Sequence, residues 1–121
     1  MADATTNVAD LRELVRQFVA ERDWQQFHAP KNLSMALAIE AAELMEHFQW
    51  ISPAASRLVG EDAEKREFVS DELADVLCYV LALANELNID LSRAVRDKMK
   101  KNAIKYPAEE YRGRYGPEDR G

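Results

Sequence analysis

The chain has a single cysteine, Cys78, and only four glycines and four prolines among its 121 residues. One cysteine excludes an intrachain disulfide and a zinc site built on several thiolates. No apolar run approaches the roughly 20 residues of a membrane span, and the first residues lack the basic start and apolar stretch of a signal peptide. We therefore expect a cytoplasmic protein without membrane contacts.

Basic charge is also scarce, because 16 Lys and Arg face 22 Asp and Glu, which leaves a net charge of −6. A protein that grips nucleic acid through its backbone needs a basic surface, so nucleic acid is not an expected partner. Glycine-rich phosphate loops, Ser/His/Asp arrangements and cysteine nucleophile motifs are absent from the sequence. The acidic residues are therefore the main candidates for chemistry.

Apolar periodicity predicts four helices and no strand, at about residues 8–22, 32–51, 62–87 and 91–105. In the third predicted helix, the run from Val76 to Ala84 is apolar on every side and would be partly wet in an isolated bundle. We therefore expect an all-α four-helix bundle that associates with further copies of itself. Residues 1–107 are predicted to form one domain, and residues 108–121, which lack periodicity, a C-terminal tail or an arm across a neighbour.

Two pairs of acids stand out within the second and third predicted helices: Glu40 with Glu43, and Glu72 with Asp75. A spacing of i, i+3 places both acids of a pair on one face of a helix. Acidic pairs are common on solvated faces, but these are surrounded by Ala, Leu, Ile and Val. If the helices face each other, the four carboxylates converge and cannot all stay ionised without cations. The pattern therefore predicts a metal site.

Carboxylate oxygens suit Mg²⁺, Mn²⁺ or Ca²⁺, whereas a di-iron bundle uses Glu-x-x-His motifs, which this sequence lacks. Iron is therefore disfavoured. Two hard cations about 4 Å apart are the usual apparatus for in-line attack of water on a phosphoryl group. Hydrolysis of a phosphate ester or anhydride follows as a hypothesis.

Two tryptophans suggest how a nucleotide would bind. Trp50 follows Glu43 by seven residues, which is about 10 Å along a continuous helix and matches the separation of a base from its phosphates. Trp24 would supply the opposing face of an aromatic clamp, with His28, Gln25 or Gln26 at the base edge. Taken singly, each tryptophan more often packs in a core or an interface. The fourth predicted helix adds polar residues for a polyphosphate, although such a face is usually only solvated: Lys98, Lys101, Asn102 and Lys105.

The chain resembles a known family in several stretches across residues 8–107. These are Phe18-Val-Ala-Glu-Arg-Asp-Trp24 with Phe27-His28, Pro30-Lys-Asn-Leu33, Glu40-x-x-Glu43 through Phe48-Gln-Trp50, Glu72-Leu-x-Asp-Val-Leu77, and Lys98-Met through Asn102 to Tyr106-Pro107. They are similar to the MazG-like all-α nucleoside triphosphate pyrophosphohydrolases, and among them the chain looks most like the dCTP pyrophosphatases.

The resemblance implies that Glu40, Glu43, Glu72 and Asp75 bind Mg²⁺, with Mn²⁺ as a substitute, and carry catalysis. A deoxynucleoside triphosphate, with dCTP or a modified dCTP favoured, would be cut between the α and β phosphates to release pyrophosphate and clean the nucleotide pool. The residues implied or predicted to bind substrate are Trp24, Gln25, Gln26, Phe27, His28, Trp50, Tyr79, Lys98, Asn102 and Tyr106.

The resemblance further implies a homo-oligomer, either a dimer or a tetramer built as a dimer of dimers. The dCTP-preferring relatives carry a His where this chain has Val15, so one polar base contact is missing. Two other classes stay open. A non-enzymatic helical interaction module would bury the acids against a basic partner, and a di-metal iron carboxylate bundle would ignore nucleotides.

Overall fold

The computed structural model describes residues 1–115, and this part of the chain contains helices and no β-strand. The predicted all-α fold class is confirmed. The α-helices of the described residues are α1 (Val8–Glu21), α2 (Pro30–Glu46), α3 (Pro53–Ser56), α4 (Ala63–Leu87), α5 (Leu91–Lys105) and α6 (Ala108–Tyr111). Short 3₁₀ helices cover Asp3–Thr5, Gln25–Phe27 and Val59–Glu61.

Polar side chains fix where three of the long helices begin. At α1, the side-chain oxygen of Asn7 accepts the Asp10 N–H at 2.9 Å, and the Asp10 carboxylate accepts the Asn7 N–H at 3.0 Å. Asp62 and Asp90 cap α4 and α5 in the same way, each accepting an N–H of the first turn. Such caps stabilise a helix by about 1 kcal/mol each, which explains why the predicted starts of these helices agree closely with the structure.

The second helix departs from its predicted bounds of 32–51. It begins earlier because Pro30 occupies the first helical position, and it ends at Glu46. Beyond that residue the backbone tightens, since the Phe48 N–H bonds to the Met45 carbonyl at 2.9 Å in the i, i+3 pattern of a 3₁₀ turn. Ser52 is then extended, as a residue before proline prefers, and caps α3. Residues 47–51 therefore form turns and do not continue α2.

Residues Met1–Asn88 form a first compact unit, and a second unit begins at Ile89. In the first unit α4 packs mainly against α2 and also against α1. Its buried apolar residues, among the described residues, are Leu33, Leu81, Ala82 and Ala84. Larger apolar side chains of α2 and α4 remain exposed, among them Ile39 at 61% and Leu73 at 53%. A single chain therefore leaves much of its apolar surface uncovered.

A polar contact joins α1 to α4. The Arg12 guanidinium donates to the Asn85 side-chain oxygen at 3.0 Å and to the Ala84 carbonyl at 3.1 Å. The Asn85 amide donates in return to the Arg12 carbonyl at 3.1 Å. Because these bonds are partly buried and reciprocal, they fix the register of the two helices at this point.

The second unit contains α5 and α6. The Tyr106 N–H bonds to the Asn102 carbonyl at 2.7 Å, and the Tyr106 ring meets Tyr111 edge-on with centroids 5.3 Å apart. The first residues of the predicted tail, 108–111, thus form a helical turn, while residues 116–121 of that tail lie outside the described part. Among the described helices, none combines the length and apolar character needed to cross a bilayer.

Candidate functional site

Three of the four predicted acids come together between α2 and α4. Glu40 and Glu43 lie on α2, and Glu72 lies on α4. Each offers a carboxylate oxygen, and these oxygens lie within 4.8 Å of one another, on side chains that are half-buried. The i, i+3 spacing and the packing of α4 on α2 together produce this convergence, as the acidic pattern predicted.

The electrostatics of this cluster are unfavourable without a counter-charge. The Oε2 atoms of Glu40 and Glu72 are buried and have no hydrogen-bond partner among the described residues. Burial, together with the nearness of the Glu72 and Glu43 carboxyl groups and the charges of Glu43 and Asp75, raises the pKa of Glu40 to about 7. A proton on Glu40 would supply the missing donor between these oxygens. A cation would satisfy them more fully.

The donor set fits a hard divalent cation. The converging atoms are all carboxylate oxygens, and the two buried oxygens without partners are positioned for ligation. No histidine or cysteine belongs to this group within residues 1–115, so soft or borderline metals gain no preferred ligand. The three acids could therefore hold a divalent cation.

Asp75 lies one turn beyond Glu72 on α4 and is not part of the three-acid group. Its charge nevertheless acts on Glu40, and the two side chains line the same cavity. A fourth carboxylate is thus placed at the border between the acidic cluster and the adjoining space.

That adjoining space is a cavity of about 480 Å³, termed here the main cleft. Its walls include Trp24 and His28 from the segment after α1, and Tyr79 from α4. Trp24 is 44% exposed and is held edge-on by Phe18, with ring centroids 5.7 Å apart. Aromatic and polar side chains therefore share one cleft with Glu40 and Asp75, which suits a ligand with a flat ring whose anionic end would reach these acids through a cation.

The other residues predicted to contact the base, Gln25, Gln26 and Phe27, differ in their surroundings. Gln25 lines a neighbouring cavity. Gln26 uses its amide to donate to the Asp23 carbonyl at 3.0 Å, and Phe27 is 61% exposed. Neither Gln26 nor Phe27 lines this cavity or the main cleft.

The helical argument for Trp50 is wrong. Because α2 ends at Glu46, Trp50 lies in the following turn and does not continue the stripe of Glu43. Its side chain is 87% exposed and does not line the main cleft. Trp24 and Trp50 thus do not line one cavity within the described residues, and their clamp on a base stays a prediction.

The predicted phosphate and sugar contacts belong to the second unit. Lys98 is exposed on α5, Asn102 is half-buried near its end, and Tyr106 is the residue that ends it. Their contact with substrate stays a prediction.

A second cavity, of about 250 Å³, was not predicted. Its polar lining includes Arg16, Gln25, Asn85 and Glu86. The periodicity of α4 indicates one of these residues, because Glu86 follows Tyr79 by seven residues and so lies on the same face of the helix.

Comparison with known proteins identifies the family. A sequence model of the MazG-like family matches residues 35–115, and the chain belongs to this family, as the resemblance indicated. It is 46% identical over 104 residues to dCTP pyrophosphatase 1 of Rattus norvegicus, covering 86% of this chain and 61% of the relative. For dCTP pyrophosphatase 1 of Homo sapiens the identity is 46% over 99 residues, covering 82% of this chain and 58% of the relative.

The chain thus spans about three fifths of the length of these curated relatives. The fold is also similar to the crystal structure of a pyrophosphatase from Archaeoglobus fulgidus. It superposes with a TM-score of 0.78 at 38% identity, covering 88% of this chain and 98% of that one.

Proposed function

We propose that the protein is a Mg²⁺-dependent nucleoside triphosphate pyrophosphohydrolase that converts a deoxynucleoside triphosphate, dCTP or a modified dCTP, into the monophosphate and pyrophosphate. The observation that carries this proposal is the convergence of Glu40, Glu43 and Glu72, with carboxylate oxygens within 4.8 Å, beside a cleft that holds Trp24. The names of the relatives support the same reaction class and the same base. The biological role that fits is removal of unwanted nucleotides from the pool.

In this proposal Glu40, Glu43 and Glu72 hold the metal, and Asp75 completes the acidic wall on the side of the cleft. Bound Mg²⁺ supplies neutralisation of phosphate charge and activation of water. The protein would then contribute mainly placement, since the carboxylates would fix the position of the metal and, through it, of the triphosphate, and the helices keep the carboxylates from spreading apart. No protein nucleophile is required.

The organic part of the nucleotide occupies the main cleft. The Trp24 ring stacks on the base, and its edge contact with Phe18 keeps it from rotating away. His28 and Tyr79 line the same cleft and contact the base or the sugar. We also propose the phosphate and sugar contacts that the resemblance implies for Lys98, Asn102 and Tyr106.

The active form is proposed to be a homo-oligomer, a dimer or a tetramer. The exposed apolar side chains of α2 and α4, such as Ile39 at 61% and Leu77 at 45%, are costly in water and are covered when copies associate. Trp50, at 87% exposure, is then available to cover a nucleotide or to pack against a neighbouring copy.

The deciding experiment incubates the purified protein with each canonical dNTP and with 5-substituted dCTP, with and without Mg²⁺, and separates pyrophosphate from orthophosphate. We expect pyrophosphate and monophosphate in equal amounts, only with the metal, and fastest for a cytosine nucleotide. Orthophosphate release, or turnover that persists in a chelator, would reject the assignment.

A further inference from the structure

The second cavity borders the main cleft on the side away from Glu40 and Asp75. The two cavities share Val15 and Val19 from α1, His28, and Ala82 from α4 as lining residues. They therefore adjoin across one common wall. A planar group that enters the main cleft beside Trp24 and His28 would have to pass these shared residues to reach the second cavity.

The α4 helix sets the order of groups along this path. Asp75, Tyr79, Ala82 and Glu86 follow each other at spacings of four, three and four residues, which places them on one face. Asp75 and Tyr79 line the main cleft, Ala82 lines both cavities, and Glu86 lines the second. From Asp75 to Ala82 the axial rise is about 10 Å, the separation of a base from its phosphates.

The polar wall of the second cavity offers both acceptors and donors. The half-buried Glu86 carboxylate has no hydrogen-bond or ion-pair partner within residues 1–115. The exposed Arg16 pairs with Glu13 and donates to the Asn85 oxygen at 3.1 Å. A guanidinium and an unpaired carboxylate thus line a space that Gln25 also borders.

We propose that the second cavity receives the hydrogen-bonding edge of the substrate base, and that Glu86 selects a base with an exocyclic amino group by accepting a hydrogen bond from it. This inference rests on the proposed function, because it assumes that the base enters past Trp24. It assigns a specificity-determining role to Glu86, a residue outside the acidic cluster.

The chemistry of pyrimidines explains the selection. Cytosine presents an amino group at C4, which donates to a carboxylate, whereas uracil and thymine present an oxygen there. That oxygen would face the Glu86 carboxylate, so two acceptors would be desolvated against each other. The ring acceptors of cytosine, N3 and O2, suit donors of the kind that Arg16 and Gln25 carry.

Val15 leaves one position of this lining without a polar side chain. The residue lines both cavities and is apolar, so α1 supplies no side-chain hydrogen bond to the base at this position. A base edge that is removed from water must find its partners elsewhere, and Glu86 on α4 is a charged acceptor that lines the second cavity.

The test compares kcat/KM for dCTP and dUTP in the wild-type protein, in Glu86→Gln and in the control Glu67→Gln, an exposed acid of the same helix that lines neither cavity. A glutamine keeps the shape but can also donate to the uracil oxygen. We expect the dCTP-to-dUTP ratio to fall about tenfold or more in Glu86→Gln, as for a hydrogen bond to a charged group, and to stay unchanged in Glu67→Gln. A ratio that stays within threefold of wild type in Glu86→Gln would overturn the inference.

A second measurement needs no variant and no catalysis. The wild-type protein without metal is titrated with dCMP, with dUMP and with the deoxynucleotide of 2-pyrimidinone, which lacks the amino group. Tighter binding of dCMP than of both others supports the inference, and equal affinities contradict it. If no triphosphate is hydrolysed but dCMP is still preferred, the proposed function fails while the base-edge assignment stands.

Discussion

Replacing Glu43 by Gln tests the acidic cluster most directly, because it removes one charge and keeps the size of the side chain. Two unit charges about 4.8 Å apart repel by about 1 kcal/mol at the dielectric constant of water and by about 3.5 kcal/mol at an effective value of about 20. Glu43 lies within this distance of Glu40 and Glu72, both of them half-buried. Without metal, the variant should therefore be more stable than the wild type by about 1 to 3 kcal/mol.

The assay is thermal unfolding in a chelator at pH 8, above the pKa of about 7 of Glu40, where that carboxylate is ionised and the repulsion is complete. For a chain of this size, 1 kcal/mol corresponds to a shift of about 4 °C, so a rise of at least that amount is expected. Added Mg²⁺ should raise the Tm of the wild type and have little effect on Glu43→Gln. Turnover should fall by about a hundredfold or more, because the metal loses a ligand.

The combination of a more stable apo protein and a lost metal response separates a metal site from an ordinary structural role. A structural glutamate would lose stability on substitution, and a surface acid would change nothing. The exposed Glu67, as Glu67→Gln, provides the matched control. If Glu43→Gln melts below the wild type in chelator, or keeps the full Mg²⁺-induced shift, the reasoning from converging charges is refuted.

Three further outcomes are expected. Because the pKa of Glu40 is raised from 4.5 to about 7, the native state holds more protons than the unfolded state between these pH values. The metal-free protein should therefore lose stability as pH rises from about 5 to 8. Chemical denaturation across this range should show the loss, and a free energy of unfolding that increases with pH would contradict it. Trp50→Ala should leave the Tm of the isolated chain nearly unchanged but raise KM or shift the oligomer in size-exclusion chromatography, and no change in either would leave Trp50 without a role. Asn85→Ala should lower the free energy of unfolding by about 1 to 3 kcal/mol in urea, since Arg12 loses its partly buried acceptor, whereas an unchanged midpoint would show that the bonds contribute nothing.

The parts of the fold that follow from local rules were predictable. Asp90 and the proline after Tyr106 mark α5 so clearly that its predicted and observed bounds coincide. The approach of Glu40 and Glu43 to Glu72 was predictable because a spacing of i, i+3 fixes the face and the apolar neighbours fix which face is covered. The end of α2 was not, since 3₁₀ tightening after Glu46 has no strong sequence signal besides the later Ser-Pro pair.

The error at Trp50 and the unpredicted second cavity have a common physical cause. A stripe on one helix predicts which side chains share a face, but it does not show how far the helix continues or what packs opposite. The line from Asp75 through Ala82 to Glu86 could be read from spacing alone, whereas the space in front of Glu86 exists only because α1 and the segment after it approach α4 at Val15 and His28. Specificity within one family therefore depends on contacts between helices, so two chains with the same acidic motif can hold the same metal and still select different bases.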